Sequence, residues 1–154
     1  MIGYLTNDQV ISVLQDNHFG RLGCNDGYNS YIFPLNYIFN GKQIICQSLW
    51  GTKLMIMRQN KRVCLQVDVI EGISRWKSVL VLGEYEELLS KRNREAAMKD
   101  FVRNGIALKI SENNLSAGNE KDLAGGLADK PALKPVIFCI HIDEMVGRCE
   151  WEGV

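Results

Sequence analysis

The 154-residue sequence is short of histidine, with only His18 and His141, and of proline, with three. Its five cysteines (Cys24, Cys46, Cys64, Cys139 and Cys149) are odd in number and contain no C-x-x-C pair. Four of them fall in apolar, strand-like runs, where Cys acts as a small buried hydrophobe. That pattern excludes a disulfide framework and predicts a cytoplasmic protein with reduced thiols. No apolar run approaches the roughly 20 residues of a membrane span, and Met1-Ile2-Gly3-Tyr4 has neither the basic nor the apolar region of a secretory signal. No G-x-S-x-G, Walker A or Rossmann glycine pattern is present. Net charge is absent too, since 18 Lys and Arg balance 18 Asp and Glu. Bulk attraction to nucleic acid or an acidic membrane is therefore not expected.

The most informative absence is local. No Asp or Glu occurs from Gly27 to Val67, whereas Lys42, Lys53, Arg58, Lys61 and Arg62 all lie there. Acid returns at Asp68 and Glu71. Such a window is either a solvated cationic face or the seat of an anion. Metal ligands are sparse: Cys139-x-His141 supplies two on one strand, with no third or fourth partner in sequence, and no metal site is expected.

What is present reads as one domain over residues 1–154, of a size that buries a real core. Thr6-Asn7-Asp8-Gln9 forms a capping box ahead of Val10, Val13 and Leu14, predicting a helix over 7–17 with Gly20 as its stop. His18 is expected to cap that helix end. Strands are expected at Phe19–Cys24, Tyr31–Phe39, Gln43–Ser48, Val63–Glu71, Ser78–Glu87 and Val136–Met145. Asn40-Gly41 predicts a type I′ hairpin turn with positive φ at both residues. Pro34 has no N–H for a ladder and belongs at an edge, a bulge or a ligand contact. Further helices are expected at Gly51–Gln59 and after a Ser90 cap through Arg103, the latter with Ala97, Met98, Phe101 and Val102 on one face and Gly105 as its stop. Residues 111–135, rich in Gly, Asn, Asp, Lys and Ala, are expected to form a mobile loop. Six strands with three marginal helices indicate a mainly β protein, a small antiparallel barrel.

The turn Ser48-Leu49-Trp50-Gly51-Thr52-Lys53 leaves a strand and begins a helix. A helix start carries partial positive charge and favours Asp or Glu. Here the chain offers Lys53, the hydroxyls of Ser48 and Thr52, and Gly51, whose lack of a side chain permits close backbone approach. Those groups together would receive a phosphate through N–H, hydroxyl and ammonium contacts.

With Pro34 in a strand, the Asn40-Gly41 hairpin, Gln47-Ser48-Leu49-Trp50-Gly51-Thr52-Lys53, and Trp76-Lys77-Ser78-Val79-Leu80-Val81-Leu82-Gly83, the chain resembles a known family. It is similar to the FMN-binding split barrels of the pyridoxamine 5′-phosphate oxidase-like superfamily, in the nitroimidazole-reductase-like branch. The likeness spans roughly residues 5–110 and returns at Phe138–Gly147. It implies a six-stranded antiparallel split β-barrel that forms a homodimer and holds FMN, or FAD as a small variation, at the dimer interface. It further implies that Gly51, Thr52 and Lys53 hold the phosphate and that Ser78 adds a contact near the phosphate or ribityl chain. By the same resemblance Pro34, Leu35 and Asn36 present main chain to the isoalloxazine, and Gln47 and Ser48 lie close by; Trp50 and Trp76 either flank the flavin, support the dimer contact or serve as core aromatics. The implied activity is transfer of reducing equivalents from a nicotinamide or other donor to a small organic substrate, such as a nitroaromatic. The alternatives are a non-catalytic flavin or redox-sensing module, and a barrel using haem or a deazaflavin. Thr52 replaces an arginine of the vitamin B6 oxidases, and the ending Val146–Val154 lacks their arginine-bearing substrate motif, which disfavours that activity. Gln47 stands where the nitroimidazole-reductase-like branch commonly has a histidine, which sets antibiotic reduction in question and leaves flavin binding intact.

Overall fold

A long C-terminal strand closes the molecule. The computed structural model describes residues 1–106 and 135–151. Its elements run β1 (Ile2–Tyr4), α1 (Asn7–Asp16), β2 (Phe19–Asn25), β3 (Ser30–Phe39), β4 (Gln43–Leu49), α2 (Thr52–Gln59), β5 (Arg62–Gly72), β6 (Arg75–Glu87), α3 (Lys91–Arg103) and β7 (Pro135–Trp151). The sheet order is β1-β7-β4-β3-β2-β5-β6, all antiparallel, and a further β6–β7 pairing closes six of the strands into a barrel. The expected fold class, mainly β with flanking helices, is what forms. Of the expected loop at 111–135, residues 111–134 lie outside the described residues, and Pro135 already belongs to β7.

The expected last strand, Val136–Met145, is longer than its apolar run suggested. Its first half pairs with β4 (Ile44↔Ile140), its length pairs with β6 (Val79↔Gly147), and its end pairs with β1 (Gly3↔Cys149). Polar residues such as Asp143 and Glu144 are tolerated because that stretch faces solvent on one side. β1 is a seventh, short strand that the sequence did not signal, since three residues carry no period.

Local chemistry accounts for most boundaries. The capping box forms as expected, with Gln9 N donating to Thr6 Oγ1 at 3.3 Å and Thr6 N to Gln9 Oε1 at 2.9 Å. The end of α1 departs from expectation in two ways. The Val13 carbonyl is capped by Asn17 Nδ2 at 2.7 Å rather than by His18. Gly20 lies inside β2, where an added Cβ would meet Gln66 O at 2.9 Å, so it serves close strand approach and not helix termination. Gly105 does stop α3: it has φ +73°, its N–H donates to Val102 O, and Ile106 N donates to Phe101 O, a Schellman arrangement. Val102, expected on the buried face, is exposed.

The β3–β4 hairpin forms, but its turn is not type I′. Positive φ is confined to Gly41 at +93°, and no non-glycine residue has positive φ among the described residues. Asn40 is the corner residue, its N donating to Gln43 O while its Oδ1 accepts from the N–H of Lys42 and of Gln43. The central pair is thus Gly41-Lys42, the pattern of a type II′ turn. Asn40's own side chain, bonding two and three residues on, decided the register.

Two cores result from strand alternation. Leu22, Leu35, Tyr37, Ile44, Leu65, Val79, Val81, Phe138 and Ile140 fill the barrel together with Val10, Val13 and Leu14 of α1 and Leu54, Ile56 and Met57 of α2. On the opposite face, Ile38, Ile45, Ile137 and Cys139 are covered by Ala97 and Phe101 of α3 and by Ile106. Tyr37 is fully buried, and its hydroxyl donates to Leu14 O at 2.9 Å, which ties α1 to β3.

Closure concentrates at Gly83. The β6–β7 register shifts between Leu82 and Gly83, with Asp143 the extra residue opposite. A Cβ on Gly83 would come within 2.1 Å of His141 O and 2.8 Å of Ile140 Cγ2. We expect Gly83→Ala to lower unfolding free energy by about 2–3 kcal/mol through overpacking against backbone. Gly72→Ala, at a position with nothing within 4 Å, should change it by less than about 0.5 kcal/mol. Paired urea titrations compare them, and equal effects would dissociate Gly83 from closure.

Candidate functional site

The expected site residues fall into two groups, separated within one chain. The first surrounds a wedge between β3 and β4. Their ladder runs through Phe39↔Ile44, Ile38↔Ile45 and Tyr37↔Cys46 and stops there. Beyond it β4 stays paired with β7 alone (Gln47↔Ile137, Ser48↔Val136) while β3 continues along β2 (Asn36↔Phe19, Leu35↔Gly20, Pro34↔Arg21). The strands therefore splay, with Pro34, Leu35 and Asn36 on one lip and Gln47 and Ser48 on the other. On its β4 side the stretch Ser30–Asn36 has no strand partner among the described residues, so Pro34's missing N–H breaks no ladder there.

Side chains in the wedge divide by alternation. Leu35 is buried in the barrel core, so only its main chain is available, whereas Pro34 and Asn36 face outward. Gln47 and Ser48 are the buried polar residues among those described, and Ser48 Oγ donates to Leu49 O at 3.0 Å. The helix α2 begins at the wedge, with Gly51 as N-cap, no side-chain cap and no acid in its first turn. A Cβ on Gly51 would meet nothing within 4 Å, so its approach is open. Lys53, in that first turn, reaches back to place Nζ 5.3 Å from the centroid of the Phe33 ring on β3. Phe33 in turn stacks on Tyr31, centroids 6.2 Å apart and 7° from parallel. One end of the wedge thus carries an ammonium, a helix start and aromatic faces, with no carboxylate in the helix turn.

Trp50 is turned to another use. Its ring lies 4.3 Å beneath the Arg58 guanidinium, and Arg58 makes a bidentate pair with Glu87 at 3.0 and 2.7 Å. That pair holds the Arg58 guanidinium charged, chiefly through its hydrogen bond to Glu87.

The second group, Trp76 and Ser78, lies on β6. Pro34 pairs with Arg21, Arg21 with Gln66, and Gln66 with Leu80. Three interstrand steps, roughly 14 Å, therefore separate the two groups. Trp76 and Ser78 line an open groove of about 1060 Å³ across β2, β5, β6 and β7. Gln66 Nε2 donates to Ser78 Oγ at 3.1 Å, and Trp76 Nε1 donates to Glu150 Oε2 at 2.9 Å. Arg21 and Asp68 form an ion pair at 3.0 Å on the groove wall. Its apolar members are unusually open: Ile32 is 72 % exposed, Ile70 70 % and Ile73 97 %. Gln66 was not expected from the sequence; its only signal is alternation with Val67 along β5.

A family model described as pyridoxamine 5′-phosphate oxidase matches residues 6–148. The chain belongs to this family. An uncharacterized protein of Rhizobium meliloti is 28 % identical over 97 % of this chain and 95 % of its own length. Among solved structures, a FAD-binding protein of Mesorhizobium loti superposes with a TM-score of 0.73 at 28 % identity, covering 99 % of this chain and 98 % of that one. The FAD-binding protein of Mycobacterium smegmatis superposes at 0.64 with 16 % identity, covering 96 % and 98 %. The split barrel expected from the sequence is thus the fold of its family.

In this pyridoxamine 5′-phosphate oxidase family member, the buried Cys46 and Cys139 thiols are held protonated. Burial pushes the Cys46 thiol far up, helped by Cys139, and burial then Glu86 push Cys139 up to about 11. Burial likewise raises Tyr37, and raises Tyr85 to about 12. No helix among the described residues is long and apolar enough to cross a membrane.

These shifts all have one sign. Each group keeps its proton in the folded state above the pH at which the unfolded chain loses it, so their stabilisation is complete below about pH 9. It falls as pH rises through the raised values at about 11 and 12. Urea midpoints measured from pH 8 to 11 should decline progressively, and a flat profile would contradict the burial of these groups.

Proposed function

We propose that this protein is a homodimeric flavoprotein that holds FMN in the β3–β4 wedge and passes reducing equivalents to a small organic substrate, including nitroaromatics. The observation that carries the reading is the wedge itself, where splayed strands meet a helix start bearing Lys53 and no acid. Lys53 and Thr52, with the first-turn amides, would hold the phosphate, and the open approach at Gly51 fits such a group. Main chain at Pro34, Leu35 and Asn36 would lie along the ring system, with Gln47 and Ser48 at the opposite lip. FMN and FAD share the ribityl phosphate, so one cradle serves either, and the FAD-binding relatives support flavin in general. Bound flavin supplies hydride or electron transfer, and the chain's task is to bind it, orient it and restrict water. The donor is a nicotinamide or a protein partner.

The proposed homodimer is supported by an exposed groove on the single chain. Ser78 and Trp76 stand three strands, roughly 14 Å, from the wedge of their own chain and line a separate, exposed groove. An apolar groove this exposed is uncommon on a monomer. A second copy over the groove would cover Ile32, Ile70 and Ile73 and bring Trp76 and Ser78 toward the partner's wedge.

The visible spectrum of the purified protein, and the mass of the ligand released on denaturation, test the proposal and separate FMN from FAD. A Soret band or a deazaflavin spectrum would replace the flavin reading, and a colourless protein that takes up no FMN would refute it. Lys53→Glu should weaken FMN binding more than about tenfold by fluorescence titration, because repulsion replaces a charge-assisted contact. Leu80→Asp, in the groove, should give monomers by light scattering together with flavin loss. Bleaching by NADH or NADPH followed by reoxidation with nitro compounds or quinones identifies an oxidoreductase. Bound flavin without turnover identifies a carrier or sensor.

A further inference from the structure

The opposite end of β6 carries a second cluster that the flavin reading does not use. Cys139 and His141 alternate on β7 and share its outer face. Glu86 stands directly across the ladder from Cys139, and Glu84 across from His141. The register brings Glu86 Oε2 to 2.5 Å from His141 Nε2, and Cys139 Sγ to 3.6 Å from the same nitrogen. One ligand atom from each of the three lies within 4.8 Å of the others.

We propose that Glu86, Cys139 and His141 form a binding site for a borderline-soft divalent transition-metal ion, of which Zn²⁺ is the type. Zn–S near 2.3 Å and Zn–N near 2.05 Å at a tetrahedral angle require an S···N edge of about 3.6 Å. The separation of Cys139 Sγ and His141 Nε2 already has that length. A carboxylate ligand requires an N···O edge of about 3.4 Å by the same geometry, so the Glu86–His141 contact has to open by about 1 Å. The Glu86 side chain is 61 % exposed and free to do so. The donor set selects the metal: a thiolate with an imidazole disfavours Mg²⁺ and Ca²⁺ and favours Zn²⁺.

Burial is graded as a half-embedded ion requires. Cys139 is 1 % exposed, while the side chains of His141 and Glu86 are 45 % and 61 % exposed. The ion would sit on the protein surface over a buried sulfur, with its fourth position open to water. Gln43 on β4 supplies outer support, its amide 3.5 Å from His141 Nδ1. With the amide oxygen turned to that nitrogen, Nδ1–H donates to it and Nε2 keeps its lone pair for the metal. Three strands would then be linked at one point: β6 through Glu86, β7 through Cys139 and His141, and β4 through Gln43. Eight residues of β6 separate Glu86 from Ser78, roughly 26 Å, so this site stands apart from the flavin groove and does not depend on it.

The test uses the tag-free full chain, stripped with a chelator and titrated with Co²⁺ and with Zn²⁺ against a chromophoric competitor. One equivalent should bind, Co²⁺ giving a thiolate charge-transfer band and tetrahedral visible bands. His141→Ala should weaken Zn²⁺ binding at least about tenfold, as should Glu86→Gln. Cys139→Ala should abolish the charge-transfer band, whereas Cys149→Ala should keep it. His141 is at the surface, so its variant reads out the site even if loss of the buried Cys139 impairs folding. No binding below roughly 100 µM Zn²⁺, or binding that His141→Ala leaves unchanged, would overturn the site.

Discussion

The double pairing of β7 is the constraint on which the remaining architecture depends. One strand satisfies the free edges of both β4 and β6, and it can do so only because Gly83 lets the two backbones meet. Any side chain there would stand inside the carbonyl of His141. The extra residue opposite, Asp143, bulges outward and is held by Arg62, which also reaches Glu84. Closure of the barrel therefore leaves its mark as a glycine at the end of an apolar run, Val79-Leu80-Val81-Leu82-Gly83.

Closure at one side permits opening at another. β4 pairs with β7 along its whole length but with β3 only as far as Cys46, and the wedge is the space this leaves. The helix that follows begins where the strands part, which places its first-turn charge beside open main chain. The wedge proposed to hold the flavin thus lies where the barrel is split, and the core packs around it.

Much of this could be read from the residues. Capping at Thr6 and Ser90, the Gly105 stop and the apolar runs of β5 and β6 are local signals, and each formed as its chemistry dictates. The Lys53 anomaly was also legible, because a cation at a helix start is locally unfavourable. What was hidden is nonlocal. β1 has no period of its own and exists because β7 offers an edge. The type of the β3–β4 turn depended on which of two adjacent residues took the corner. That Trp76 and Ser78 lie away from Lys53, and that Glu86 faces Cys139 across 53 positions of sequence, follow from register alone. Register is fixed by the sum of core contacts, to which no motif points.

The same long-range closure has a kinetic side. Ile44 meets Ile140 only after nearly a hundred further residues have been made, and pairing at such separation is intrinsically slow. Until β7 arrives, the sheet β4-β3-β2-β5-β6 is an open ribbon with two raw edges, one of them rich in Ile, Cys and Leu. Such edges are templates for pairing with other chains. The strand that completes the barrel is thus also the one that ends the nascent chain's exposure to aggregation, and its arrival, more than the folding of any earlier element, sets how long that exposure lasts.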